Sequence, residues 1–461
     1  MSSQMEMEVE TESPPLFNYL QQEIPLEDIR DYASPRRITS IDFLKGFAII
    51  FVILAHTSQA WLDSETKYLY GLLFALLDIL GPSLFVFLSA LSVIFSIKRK
   101  EGVLPNKIIR NRILTRGVVM LALGLLINLV GEDPATGEIV VILFGWNIIT
   151  FIGLSQIISF YVLKLKKKWR IVIGISIILI SPYIRGFLYE GKEAGNLLLS
   201  FFHYIITSPT PHLTLLPWIS ICFISTIFGE YIFEALNRGT EDAYIGLFRI
   251  FFVWGIIFII MGIFIPMPFI GFGFELQTPD TIIGGLAEYP HLRLLIVAND
   301  QDFFELSGMP LFLIRSTSAN MFYNQGAALF IIAIFFYFID IKQRSNDFTN
   351  MLIYYGKVSL SLFLLHFIFI PPFVEQFGIT LFLIVGLLYV GFMGIFMYIW
   401  MEYAKGVGSP EWLMVQLGRI GQKSGEAVKK TTKKVYARIK KHERVKKMED
   451  FMKKLSKDKE N

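Results

Sequence analysis

Cysteine is nearly absent from this chain: Cys222 stands alone among 461 residues, so no intrachain disulfide can form and no cysteine-rich metal site is supported. Charge is scarce too. Asp, Glu, Lys and Arg make up 18%, against about 25% in ordinary globular chains. The chain has no Walker loop, no dinucleotide glycine fingerprint, no zinc-protease His pair and no Gly-x-Ser-x-Gly elbow, which weakens pump, dehydrogenase and hydrolase readings. The first 35 residues lack the basic-then-apolar pattern of a cleavable signal peptide. They are acidic and polar, carry Pro14, Pro15, Pro25 and Pro35, and read as a flexible cytoplasmic arm, 1–35.

What fills the chain is apolar. Hydrophobic residues make up 54% and aromatics 15%, and the mean hydropathy is +0.54. Apolar runs recur at the length of ~20 residues that a helix needs to cross roughly 30 Å of hydrocarbon. The fold class expected is therefore all-α, a polytopic transmembrane bundle of about ten helices within 36–404. The spans fall near 41–61, 71–97, 113–130, 143–163, 169–188, 214–233, 247–265, 320–340, 352–372 and 378–401. Every second connection is basic, from Arg36 and Arg37 through 98–116, 164–170, Arg238 with Arg249, and Lys342 with Arg344, to the Lys-rich tail. This alternation predicts a multi-pass protein with both termini cytoplasmic, and it assigns the net charge of +4 to topology rather than to nucleic acid. Two long outer segments, 186–213 and 266–319, contain short apolar stretches at 197–206 and 302–314. These read as half-helices or interfacial helices, and either one as a crossing gives eleven spans. The tail, 405–461, reads as a basic amphipathic helix on an anionic leaflet, with recruitment of a partner as the alternative.

Ionisable groups are costly in a bilayer and are candidates for function where they occur inside spans. In the first span Lys45, His56, Gln59 and Asp63 follow offsets of eleven, three and four and so form one polar stripe. Lys45 falls near the inner end, where it is either an interfacial anchor paired with Asp42 or part of a site. His56 falls in the outer half and reads as lining a cavity. Asp78, Asn128, Trp146, Asn147, His212 and His366 fall at the same depth if the alternation holds. Asn128 and Asn147 also suit helix ends, and His212 suits the interface. The dense basic segment with Lys98, Lys107, Arg110, Arg112 and Arg116 is either a positive-inside signal or a seat for a phosphorylated cytoplasmic ligand.

Arg37-Ile-Thr-Ser-Ile-Asp-Phe-Leu-Lys-Gly-Phe-Ala, followed by Ile-Leu-Ala-His56, resembles the opening of the integral-membrane acyltransferase superfamily. It is most similar to the branch with the catalytic domain of heparan-α-glucosaminide N-acetyltransferase. Gly81-Pro-Ser-Leu-Phe-Val-Phe-Leu-Ser, Arg116-Gly-Val, Pro217-Trp218-Ile and Gly356-Lys-Val-Ser-Leu-Ser-Leu-Phe-Leu-Leu-His366 resemble that group as well, over about 36–400. In such enzymes an Arg, ten intervening residues and a His form a functional element, with the His catalytic. Here Lys45 stands in place of the Arg, which keeps the charge and loses the planar fork.

The resemblance implies acetyl-CoA or another acyl-CoA supplied from the cytoplasm and an extracytoplasmic sugar or glycan acceptor. His56 is then expected as general base. Asp78 is expected to orient it, and Asn128, Asn147 or His366 to donate to the oxyanion. Lys45, Arg110, Arg112 and Arg116 are expected at the donor's phosphates, and Gln59, Asn128, Asn147 and His212 near the acceptor; no metal is expected. The rival readings are a secondary transporter or flippase with buried His and Asp residues, and a non-catalytic receptor or scaffold.

Overall fold

The computed structural model describes residues 38–63, 66, 77–98, 106–131, 143–207, 213–265, 311–313, 315–414 and 416–417. Among these there are thirteen α-helices and no strand. They are α1 (Thr39–Trp61), α2 (Pro82–Lys98), α3 (Asn106–Gly131), α4 (Ile148–Val162), α5 (Lys167–Glu193), α6 (Leu197–Ile206), α7 (Leu215–Trp218), α8 (Ser220–Arg238), α9 (Glu241–Phe264), α10 (Ser318–Phe335), α11 (Asp347–Lys357), α12 (Ser359–Leu365) and α13 (Ile379–Tyr403). The expected arm 1–35, the stretch 302–310, His212 and the tail beyond 417 lie outside the described residues.

The all-α polytopic class holds. Among the described residues seven helical stretches are long and apolar enough to cross a membrane, and the pair α11–α12 gives an eighth when counted as one span. The two other expected spans appear as α2 and α4, with 17 and 15 residues. Each is then about 25 Å long or less, short of the hydrocarbon thickness. The stretch 197–206 is an apolar helix of 10 residues, α6, as a half-helix reading requires. The expected span 352–372 is not straight: it breaks at Val358 (φ −111°, ψ 22°) and turns by 70°.

The helices approach through glycine, because lipid offers no hydrophobic reason for them to associate and backbone contact must supply the gain. A Cβ on Gly46 of α1 would overlap the Leu352 carbonyl of α11, and one on Gly356 of α11 would overlap the Asp42 carbonyl of α1. The α9–α10 crossing works the same way, with Gly255 and Gly262 against Gly326 and Tyr323. Gly117 and Gly124 of α3 meet Gly153 and Thr150 of α4.

α1 has no cap of its own at Ile38. Its first amides are met from a distance: Thr39 N donates to Asp340 Oδ1 at 2.8 Å and Ser40 N to Asp340 Oδ2 at 3.0 Å. A carboxylate there also complements the positive end of the helix dipole. At the far end, Trp61 Nε1 donates to Ile370 O at 2.8 Å. Glu375 N and Phe377 N donate to Ala60 O and Trp61 O, both at 2.9 Å, and Asp63 N donates to Phe377 O at 3.0 Å. Both ends of α1 are thus tied to residues some three hundred positions later.

One basic connection has a structural role beyond topology. Arg170 is buried and donates from Nη2 to Glu230 Oε2 of α8 at 2.7 Å, while Lys167 reaches Glu234 at 2.8 Å.

Candidate active site

The α1–α11 crossing sets the register of the chemistry. His56 lies ten residues beyond Gly46 and His366 ten beyond Gly356, so both leave the contact point by about 15 Å of helix rise before the α12 bend is counted. The two imidazoles meet: His56 Nδ1 is 2.8 Å from His366 Nε2. Their centroids are 5.1 Å apart and their planes within 10° of each other, so the two rings lie edge to edge in nearly one plane. Phe367 packs against both, at 5.0 Å from His56 and 4.1 Å from His366. Tyr389 of α13 donates its hydroxyl to His366 O at 2.7 Å and holds the segment from behind.

The hydrogen bonds fix the tautomers. His366 Nδ1 lies 3.1 Å from Leu362 O, which can only accept, so Nδ1 carries the hydrogen. Neutral His366 then presents a lone pair at Nε2, and the 2.8 Å contact requires His56 to donate from Nδ1. His56 Nε2 is left as the unprotonated nitrogen. This is the arrangement of an oriented base: one nitrogen is held by a partner and the other is a proton acceptor.

The remaining candidates divide. Asn128 and Asn147 meet each other: Asn147 Nδ2 donates to Asn128 Oδ1 and to Gly124 O, each at 2.7 Å, and Asn147 Oδ1 accepts from Ile149 N and Thr150 N, each at 2.9 Å. Those four bonds are the full capacity of a carboxamide, and they cap α4 in a capping box with Thr150. Asn128 Nδ2 also donates to Gly145 O at 2.7 Å, and Trp146 Nε1 to Ile205 O at 2.6 Å. Lys45 turns toward α2 and donates to Ser92 Oγ at 2.8 Å, and Ser92 passes its own hydrogen to Leu88 O at 2.6 Å.

Gln59 is exposed, and Asp63 Oδ1 accepts from Thr66 N and Oγ1 at 2.9 and 2.6 Å. Arg110 is exposed on the first part of α3, while Arg112 and Arg116 are half-buried there one turn apart. Asp78 begins a 3-10 turn, Asp78–Leu80, packed between α1 and α10. The Asp78 side chain lies outside the described set.

Sequence reasoning missed Glu411. It follows α13 on a segment where Lys405, Gly406 and Gly408 have positive φ and reverse the chain. Trp412, Met414 and Gln416 are then buried. Ser361 N donates to Glu411 Oε1 at 2.8 Å, and Ser361 Oγ donates to Glu411 Oε2. The signal was there: Ser409-Pro-Glu-Trp is a helix start, with Ser409 Oγ accepting from Trp412 N at 3.2 Å, ahead of the lysine pairs.

No curated protein matches the chain. The family model described as heparan-alpha-glucosaminide N-acetyltransferase, catalytic, matches residues 37–260, which takes in α1 with His56 and stops before His366 and Glu411. That match supports a membrane acetyltransferase of the glucosaminide or glycan type, and it bears out the resemblance read from the first span. Over residues 37–260 this chain is thus similar to the heparan-α-glucosaminide N-acetyltransferase catalytic family.

Proposed function

We propose that the protein transfers an acyl group, in the first instance acetyl, from cytoplasmic acyl-CoA to a hydroxyl or amine of an extracytoplasmic sugar or glycan, with His56 as general base and His366 as its orienting partner. The observation that carries this reading is the 2.8 Å bond from His56 Nδ1 to His366 Nε2, which orients the His56 ring as a paired base. The acceptor's O–H or N–H gives its proton to His56 Nε2 while its heteroatom bonds to the thioester carbonyl carbon. The C–S bond then breaks, and the departing thiolate takes the proton back from Nε2. While His56 is cationic its Nδ1–H bond to His366 is charge-assisted.

The phosphates of the donor fall to the basic inner ends of the helices. Arg112 and Arg116 are one turn apart on α3, with exposed Arg110 beside them in sequence, and arginine forks suit phosphate oxygens. Lys45 adds a positive charge on α1, on the stripe that leads to His56. Gln59 is exposed one turn beyond His56, and its carboxamide is the group proposed to meet the acceptor. Asp78 stands as a further candidate, since its turn packs on α1.

A transporter also uses a discontinuous helix, and the 70° break of α11–α12 gives that reading a foothold. One assay separates the two. Purified protein in liposomes, given labelled acetyl-CoA outside and a glucosaminide acceptor, is expected to yield acetylated sugar. Movement of sugar across the liposome membrane with no acetyl transfer overturns the acyltransferase reading.

A further inference from the structure

The bend that brings His366 to His56 is held from outside its own span. α12 begins immediately after the break at Val358, and its early amide, Ser361 N, donates to a carboxylate that comes from beyond the last long helix. The Ser361 hydroxyl donates to the other oxygen of the same group. Leu362, the next residue, supplies the carbonyl that fixes His366 Nδ1. A continuous series of bonds therefore runs from Glu411 through Ser361 and the Leu362 peptide to His366 and on to His56.

We propose that Glu411 is a positioning residue for the histidine pair: by clamping Ser361 it sets the direction of α12, hence the Leu362 carbonyl and the tautomer of His366. The proposal rests on the reading of that pair as the proton-carrying site. An anchor that served only to dock the chain end would have no need to engage α12 with both carboxylate oxygens at the residue before the tautomer-setting carbonyl. Trp412 and Met414, which follow it in sequence, are buried. Burial also raises the Glu411 carboxyl pKa, and the two Ser361 bonds are among those that oppose the rise.

The test uses the full chain with 15N-labelled histidine, purified and observed by NMR at neutral pH, alongside acetyl transfer. His366, assigned by loss of its signals in His366→Ala, is expected as the Nδ1-protonated tautomer in the parent. In Glu411→Ala it is expected to become a mixture of tautomers, with kcat down about tenfold or more and both KM values little changed, as for loss of orientation rather than of binding. Glu411→Gln keeps an oxygen for Ser361 N and turns a donor toward Ser361 Oγ, and is expected to restore the tautomer and most of the rate. If Glu411→Ala does not fold, Ser361→Ala removes the hydroxyl bond alone and is expected to shift the tautomer in the same direction.

An unchanged His366 tautomer in whichever of Glu411→Ala and Ser361→Ala folds overturns the proposal, as does a Gln variant that behaves like the Ala one. A tautomer shift in a protein that transfers no acetyl group upholds the positioning role and sinks the acyltransferase reading instead.

Discussion

Two polar pairs sit inside this bundle, Asn128 with Asn147 and His56 with His366, and they have opposite accounts of their hydrogen bonds. Asn147 has both hydrogens and both lone pairs engaged by the protein, and its removal would unfasten the start of α4 from α3. The histidine pair is joined in one directed series, Leu362 O to His366 Nδ1 and His366 Nε2 to His56 Nδ1, which orients the His56 ring. Both pairs look alike in sequence, as polar residues at apolar depth. Counting donors and acceptors tells the fastening from the tool.

The comparison can be broken most sharply at His56. His56→Ala is expected to insert and purify like the parent, and to lose about 10²- to 10⁴-fold in acetyl transfer, the scale of losing a general base. Transfer at near the parental rate in a labelled-acetyl assay would return His56 to packing. His366→Ala comes next, with a loss of about 10²-fold, because His56 keeps its Nε2 but not its orientation; the pH dependence of kcat should change with it. Gly356→Ala forces α1 and α11 apart and is expected to cost about 1–3 kcal/mol in stability, read as a lowered thermal midpoint, with turnover falling alongside. The smallest effect belongs to Asn147→Ala. It should lose about 1 kcal/mol as a missing helix cap, with turnover per folded molecule unchanged. A catalytic loss in Asn147→Ala comparable to that of His56→Ala would erase the distinction between the two pairs.

Much of this was legible in the sequence, for reasons that differ by residue. His56 and His366 stand out because imidazoles inside apolar runs are expensive, and the helices themselves follow from runs of sufficient length. That the two histidines pair was not legible, since hydropathy says nothing about which helices touch. The shared offset of ten from Gly46 and Gly356 becomes meaningful only once those glycines are known to meet. The break at Val358 was hidden for a similar reason: Gly356 to Leu365 is apolar enough for a straight span, and the dihedrals that turn it leave no mark in composition. Asn128 and Asn147 were open between substrate contact and helix end, and the bonds of Asn147 favour the helix end. Glu411 was lost in a tail read by its lysines.

The clamping of α1 at both ends has a consequence in time. Its first amides wait for Asp340, its histidine for a partner 310 residues later, and its Trp61 for a carbonyl 309 residues later. At ~5–20 residues per second of synthesis, roughly 15–60 s separate the emergence of His56 from that of His366. For that interval α1 holds His56 in the membrane without the histidine that pairs with it, although Ser92, which meets Lys45, follows only 47 residues after that lysine. Anything that shelters α1 during that wait would govern how much protein is made, and a variant that weakens Gly46 or Asp340 would be expected to show itself first as reduced yield in cells.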